Sequence, residues 1–532
     1  MPLTQHLALS DWASAIGSEH VVVDTAPLDL ASSATYLTSN RVTAILRPAD
    51  VDQVSECLKI AQRHRVPLYP ISAGKNWGYG SRVPTSSQAA ILDLARLNHI
   101  VDFSEALGTV TVEAGVTFAQ LENFLEEQKS QRFMSAPGTT PAASPIGNAL
   151  ERGWGFGPYS DRFDFMCGMQ VVLPDGEVVE TGLERFPGSK SGKIFRWGVG
   201  PWFDGMFTQS NLGVVTRMTI FLAPKPTHFV SFLYRFNDVE RLAPLMDNLR
   251  ELKMRGILRT NFKVQNFYRK LMDRGAYPWE ETGGKWCLSP EQEEARKREQ
   301  AVGTWNGAGA LYCWSKAQAA AEREMVEEAL LPYVDHVLFL DQETLERKDE
   351  LRDQVKEKTG YNLDSCLHRY YVNTRFIGVD KGLGVGGAYW RKRTGMPENP
   401  DLDKDRVGFI WVDPILPFLG SEVRQATDLA GSVQRKHGFD DNLGMNCVTE
   451  RSIFMTAAII YDRDVAGDDE RALACAQDLT HTMMGAGYTL GRLTTFNMDV
   501  LSQAQAGSQK LQATIKAALD PGHILAPGRY EP

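Results

Sequence analysis

The residues of this chain best suited to chemistry are the glycines of Pro70-Ile71-Ser72-Ala73-Gly74-Lys75-Asn76-Trp77-Gly78-Tyr79-Gly80, which follow the apolar run Val66-Pro67-Leu68-Tyr69. Glycine lets the backbone pass close to a bulky anion, and successive N–H groups in such a turn converge on a phosphate. A tight turn ahead of a new strand would use the same residues. Further turns of small and hydroxylated residues follow: Ser135-Ala136-Pro137-Gly138-Thr139-Thr140, Ser144-Pro145-Ile146-Gly147-Asn148-Ala149-Leu150-Glu151-Arg152-Gly153 and Trp154-Gly155-Phe156-Gly157-Pro158-Tyr159. They are more than one loop needs and suit the walls of a single cradle. A second glycine motif, Gly382-Leu383-Gly384-Val385-Gly386-Gly387, matches G-x-G-x-x-G. Tyr389-Trp390-Arg391-Lys392-Arg393-Thr394-Gly395 after it does not open an amphipathic helix, so no nicotinamide site is expected there.

Alternating strands and helices must position the cradle. Strands at Ile45 and Leu68 flank a helix over 50–64, where Val51, Val54, Cys57, Leu58 and Ala61 recur at helical spacing. Strands are expected over 90–94 and 108–115, and an amphipathic helix over 117–128 with Leu121, Phe124 and Leu125 on one side. The pattern resets after Pro224-Lys225-Pro226. A strand is then expected over 229–236, and helices over 239–254, 290–302, 317–331, Asp468–Gly485 and 508–519.

At 532 residues, 43% hydrophobic and 23% charged, the chain has room for two or three domains of an ordinary soluble enzyme. Neither a membrane span of about 20 apolar residues nor a secretory signal is evident, which points to a cytoplasmic protein with no membrane partner. The net charge of −9 argues against nucleic acid, and the basic run Trp390-Arg391-Lys392-Arg393 is expected as a solvated loop. Seven widely spaced cysteines favour buried free thiols over disulfides or a metal site.

The order and spacing of the small-residue turns resemble the flavoprotein family of vanillyl-alcohol oxidase and p-cresol methylhydroxylase. The resemblance continues through Gly168-Met169-Gln170-Val171-Val172-Leu173-Pro174-Asp175-Gly176, Gly188-Ser189 and Ile194-Phe195-Arg196-Trp197-Gly198. It extends over Gly200-Pro201-Trp202-Phe203-Asp204-Gly205 to Gln209-Ser210-Asn211-Leu212-Gly213-Val214-Val215-Thr216, and returns at Ala518-Leu519-Asp520-Pro521-Gly522-His523-Ile524-Leu525-Ala526-Pro527-Gly528-Arg529. The stretch 194–216 leans toward the p-cresol methylhydroxylase (4-cresol dehydrogenase) branch. The resemblance implies an α+β fold: a p-cresol methylhydroxylase (PCMH)-type FAD-binding domain of two α+β subdomains, and a cap domain with a large antiparallel sheet covered by helices. The implied boundaries are 1–225 for the FAD domain, 226–491 for the cap and 492–532 for a return to the FAD domain.

The implied cofactor is FAD, with Ile71, Ser72, Ala73, Gly74, Lys75, Asn76 and Tyr79 around its pyrophosphate. Pro137, Gly138, Thr139, Ser144, Gly147, Asn148 and Gly153 line it, Gly213 and Val214 meet its adenine end, and Arg529 lies near the flavin. Lys75 either contacts the cofactor or is a surface lysine. Relatives tether the flavin to histidine or tyrosine. Phe409, in Phe409-Ile410-Trp411-Val412-Asp413-Pro414, fills the histidine's place and argues against a histidyl link. Tyr389 is the candidate for a tyrosyl link, with a non-covalent site as the alternative.

The implied activity is hydride transfer to flavin N5 from a benzylic or otherwise activated carbon of a para-substituted phenol. Electrons would pass on to oxygen or a cytochrome, and the chain would form a homodimer. Tyr79 and Arg492 match residues that hold the phenolate, whereas Gly491 replaces a second tyrosine, leaving Tyr159 or Tyr488 to compensate. Gly138 stands where the oxidase branch has an aspartate, and acidic residues expected in the cap align with Met445 and Ala458. Candidate replacements for an acid–base group are His368, Tyr370, Tyr371 and Glu151. These departures keep open a non-phenolic alcohol or amine substrate and, from another class, a non-catalytic flavin- or ligand-binding protein.

Overall fold

The computed structural model describes residues 3–378 and 385–531. The helix expected over 50–64 forms as Val51–His64 because Asp50 caps it, accepting from Gln53 N at 2.8 Å, and because Arg65 in the left-handed region ends it. Its Val54, Cys57, Leu58 and Ala61 share one core with Leu46, Leu68 and Leu92. Those three belong to a four-stranded sheet in the order Val21–Val22, Ile45–Leu46, Ala90–Asp93, Leu68–Ile71, in which the last three strands run parallel. The glycine-rich turn leaves this sheet at the carboxyl end of Leu68–Ile71, the end of a parallel strand where ligands gather in α/β sheets.

A five-stranded antiparallel sheet follows, in the order Ile100–Ser104, Thr109–Glu113, Val214–Phe221, Met166–Val172, Val178–Glu180. Beside it lies Phe118–Glu127, started by a capping box between Thr117 and Gln120. The end of the chain closes back on the first sheet: Leu68 N donates to Ile524 O at 2.8 Å, and Ala526 N to Leu68 O at 2.7 Å.

Residues 228–462 build an eight-stranded sheet, ordered His336–Leu340, His228–Phe236, Trp305–Cys313, Phe262–Asn266, Leu443–Cys447, Ser452–Asp462, Val407–Val412, with Ile415–Pro417 also on Ser452–Asp462. All of its pairings are antiparallel. Strand alternation sorts its side chains. Phe262, Val264, Ile410, Val412, Met455 and Ala457 bury in one core with helices Leu242–Met254, Lys316–Leu330, Gly420–Lys436 and Asp468–Gly485. The intervening Lys263, Phe409, Trp411, Phe454 and Thr456 face the other way, onto a cavity. The architecture is thus the expected α+β arrangement, with FAD-type subdomains and a sheet-and-helix cap.

Two expectations need correction. Trp390-Arg391-Lys392-Arg393 is not a solvated loop: Arg391 is fully buried against Asp440 with its guanidinium 3.5 Å from the Tyr277 ring, and Lys392 lies 2.8 Å from Asp462. Partners remote in sequence supply the compensation that lets these charges bury. Cys287 is exposed, whereas the other six cysteines are buried free thiols. Of the G-x-G-x-x-G match, Gly382, Leu383 and Gly384 lie outside the described residues, and Gly386–Arg391 is a short 3₁₀ helix. No helix among the described residues is long and apolar enough to cross a membrane.

Candidate functional site

A cavity of about 300 Å³ lies between the small-residue turns and the bare face of the eight-stranded sheet. Gly74 and Gly78 hold positive φ of 63° and 84°, the left-handed region in which other residues are strained. At Gly78 a Cβ would collide with the Trp411 indole, and Trp411 N donates to Gly78 O at 3.2 Å. The cap grips the same turn by two carboxylates. Asp401 pairs with Lys75 at 2.6 Å, and Asp403 accepts from Trp77 Nε1 at 3.1 Å and Ser81 Oγ at 2.6 Å. Burial pushes the Asp403 carboxyl up to about 6.

Every residue that the resemblance assigns to FAD lines this cavity except Pro137 and Tyr389. Pro137 pairs its backbone with Gly155 just behind the wall, while Tyr389 is buried and gives its hydroxyl to Asp405. The wall fits the cofactor. At Gly147 a Cβ would collide with Ser72 Oγ, so the two turns approach as closely as they do only because residue 147 has no side chain. Ser210 Oγ and Arg529 Nη1 are buried there without a partner among the described residues. Buried donors of that kind await an acceptor, and a dinucleotide is rich in them. Lys75 resolves as a cavity residue whose charge is already engaged by Asp401.

At the Tyr79 end three elements converge. Tyr79 gives its hydroxyl to Asp413, and the Arg492 guanidinium centre sits 4.0 Å from the Tyr79 ring. Arg492 also donates to Asn76 Oδ1 and lies 3.5 Å from Glu151. Glu151 is a hub: it accepts from Arg529 at 2.6 Å and from the Tyr530 hydroxyl at 2.8 Å. Burial works against its charge, but Arg529 and Arg492 outweigh it and hold the carboxyl below its usual range. Asp413 has the reverse balance. Burial dominates over Tyr79, Arg492 and Arg269 and lifts its carboxyl to about 7. Burial, then Asp413, pushes the Tyr79 hydroxyl well above 10.

Sequence reasoning passed over Asp413, although its signal was present. Phe409, Trp411 and Asp413 occupy alternate positions of one strand and its exit, hence one face. Arg269 and Lys263 were missed as well. Arg269 lies with its guanidinium 4.7 Å from the Trp411 ring and donates to Asn442 Oδ1 at 3.1 Å, and Lys263 Nζ stands 4.2 Å from the Phe156 ring. Both line the cavity.

Other expected residues lie elsewhere. Tyr159 stacks on Phe165 at 4.0 Å, and His368 is exposed beside Asn373; neither lines the cavity. The Tyr370 hydroxyl oxygen accepts from the Lys270 amine, Tyr371 donates its hydroxyl to Gln342 at 3.3 Å, and Tyr488 donates to Glu422 at 2.7 Å. No tyrosine fits at 491, where a Cβ would stand 2.6 Å from Ile415 and 2.9 Å from Phe454. A side chain at Gly138 would point at Trp154, 3.7 Å away. Met445 faces the helix-covered core, whereas Ala458, opposite Trp411, packs with Phe409 on the cavity side of the sheet and carries no carboxylate. Among the described residues no group of His, Cys, Asp and Glu is arranged to hold a metal.

Residues 42–182 match the FAD binding domain family. The chain is 41% identical to 1'-carboxy-chondrochloren decarboxylase of Chondromyces crocatus, over 98% of this chain and 97% of that protein. It is 29% identical to the 4-cresol dehydrogenase [hydroxylating] flavoprotein subunit of Pseudomonas putida, over 98% and 94% of the two chains. Among solved structures, p-cresol methylhydroxylase with substrate bound superposes with a TM-score of 0.88 at 28% identity, covering 100% of this chain and 97% of the other. Similarity along the whole length of these proteins, with a cavity whose turns and buried donors fit FAD, places the chain in the p-cresol methylhydroxylase family of FAD-dependent oxidoreductases.

Proposed function

We propose that this oxidoreductase takes a hydride from the benzylic carbon of a para-substituted phenol, with Tyr79 and Arg492 at the phenol oxygen. The observation that carries the reading is the buried Tyr79–Asp413 pair beneath Arg492 at the cavity. FAD, when bound among the glycine turns, supplies the two-electron acceptor. The chain supplies the phenolate. Arg492 favours the anion of a bound phenol by its charge. Ionised Asp413 draws the proton of Tyr79, whose oxygen takes the phenol proton in turn, so that the net transfer is from phenol to Asp413. Trp411, Phe409 and Phe454 supply an apolar wall that keeps water from the ring.

A second reading is favoured by Lys263 and Arg269 and by the relative named a decarboxylase. Once the benzylic hydride has left, the ring is an electron-poor quinone methide. A carboxylate on the next carbon can then leave as CO₂, its C–C electron pair forming the side-chain double bond and returning the ring to phenolate. Two electrons leave with the hydride and none are left over.

Anaerobic titration of the purified protein with 4-alkylphenols, 4-hydroxybenzyl alcohols and 3-(4-hydroxyphenyl)propionate tests both readings. Loss of the oxidised flavin band with the phenols supports the first, and release of CO₂ from the acid supports the second. Readmission of air then separates dioxygen from a cytochrome as acceptor. A flavin band unchanged by any phenol would move the assignment to a non-phenolic alcohol or amine, and bleaching by phenols retained in full by Tyr79→Phe would remove Tyr79 from the phenol oxygen.

A further inference from the structure

We propose that Lys263 and Arg269 form an anion site for a carboxylate on the para side chain of the substrate; this rests on the phenol reading for the ring alone. The two side chains come from consecutive elements, strand Phe262–Asn266 and helix Phe267–Leu271, and both reach the cavity. Lys263 points there because its neighbours Phe262 and Val264 are consumed by the opposite core.

The other cations of the cavity wall have carboxylate partners: Lys75 has Asp401, and Arg492 and Arg529 share Glu151. Among the described residues Lys263 and Arg269 have none within ion-pair distance. Lys263 is held by aromatic faces, 4.2 Å from Phe156 and 5.9 Å from Trp154. Arg269 rests on Trp411 and has one neutral partner, Asn442. A buried cation without a counter-ion is costly, and a substrate anion that enters with its own charge relieves that cost. The guanidinium fork suits a planar carboxylate, to which Lys263 adds a point charge.

The charges around Lys263 agree. Burial, then Arg375 and Arg269, pull its amine well below its ordinary value, with Lys270 in the same sense and Asp273 opposing. Asp273 is already engaged by Arg369 at 3.3 Å. An arriving carboxylate opposes that pull and supplies the counter-charge that the site lacks.

Isothermal calorimetry on the FAD-loaded protein tests the site with 4-hydroxycinnamate, 4-hydroxycinnamamide, cinnamate and cinnamamide. None of these has a saturated benzylic C–H to oxidise. 4-Hydroxycinnamate should bind at least about tenfold more tightly than its amide. Lys263→Met should remove the preference, Arg269→Gln should weaken it, and Lys263→Arg should retain it. Flavin content and amide affinity report that each variant is folded. Equal affinity for acid and amide in the parent protein, or a preference that survives both Lys263→Met and Arg269→Gln, overturns the site. Preference for cinnamate over cinnamamide without any gain from the ring hydroxyl upholds the site and removes the phenol reading. Failure of all four to bind removes both.

Discussion

Tyr79 gives its hydroxyl to Asp413, 334 residues further along the chain, and the Arg492 guanidinium covers the Tyr79 ring at 4.0 Å. A single proton is thereby shared between a phenol and a carboxyl whose ionisation burial has lifted to about 7. The pair can hold or accept a proton near neutral pH while Arg492 supplies fixed positive charge.

Asp413→Asn should lower kcat/KM for 4-alkylphenols by about 10²- to 10⁴-fold, the usual range for loss of a general base. Asp413 accepts a proton only when ionised, so the activity of the parent protein should rise with pH through about 7. Steady-state kinetics over a pH series checks this. The ascending limb should disappear in the variant, and an unchanged limb would assign it to another group.

Gly78→Ala should loosen the cofactor. The new methyl would meet the Trp411 indole at a backbone φ of 84°, and each effect is worth about 1–3 kcal/mol. The dissociation constant for FAD, measured by titrating the apoprotein, should rise at least about tenfold. Full retention of FAD would mean that the turn yields without cost.

Glu151→Gln should destabilise the protein by about 3 kcal/mol, because it strands Arg529 and Arg492 without their shared anion. The pH dependence has a definite sign. Glu151 is held below its usual 4.5, so its contribution is present above that value and is lost as pH falls through the lower folded value. Denaturant titrations at neutral and acid pH should show the parent and the variant converging at the acid end.

Tyr389→Phe should leave flavin content unchanged, and trichloroacetic acid should release FAD from both parent and variant. The Tyr389 hydroxyl is engaged with Asp405 and does not line the cavity. Flavin that precipitates with the parent protein but not with the variant would make Tyr389 the covalent tether.

The cofactor half of the site was legible because its signals are local. Gly74 and Gly78 are required by positive φ within one turn and Gly147 by its close approach to Ser72, and the capped helix Val51–His64 follows from spacing and one aspartate. The substrate half was not, because it is made by pairing across the chain. Asp413 gains its character from burial beneath Tyr79 and Arg492, neither of which is its neighbour in sequence. Arg391 reads as an ordinary solvated charge and Lys263 carries no local signal, until the aromatic side chains of remote segments close around them. Gly491 read as a loss, yet Ile415 and Phe454 occupy the volume a larger residue would need.

The grip of the cap on the glycine-rich turn also bears on how the protein is made. Lys75 waits for Asp401, Asn76 for Arg492, and Glu151 for Arg529, separations of 326, 416 and 378 residues. A ribosome adding about 5–20 residues per second will have released the turn well before any of these partners emerges. The nascent amino-terminal half therefore carries a cradle with its outer wall missing. The complete cradle exists only once Arg529, near the end of the 532 residues, has emerged, so its last contacts form after nearly all of them have been joined.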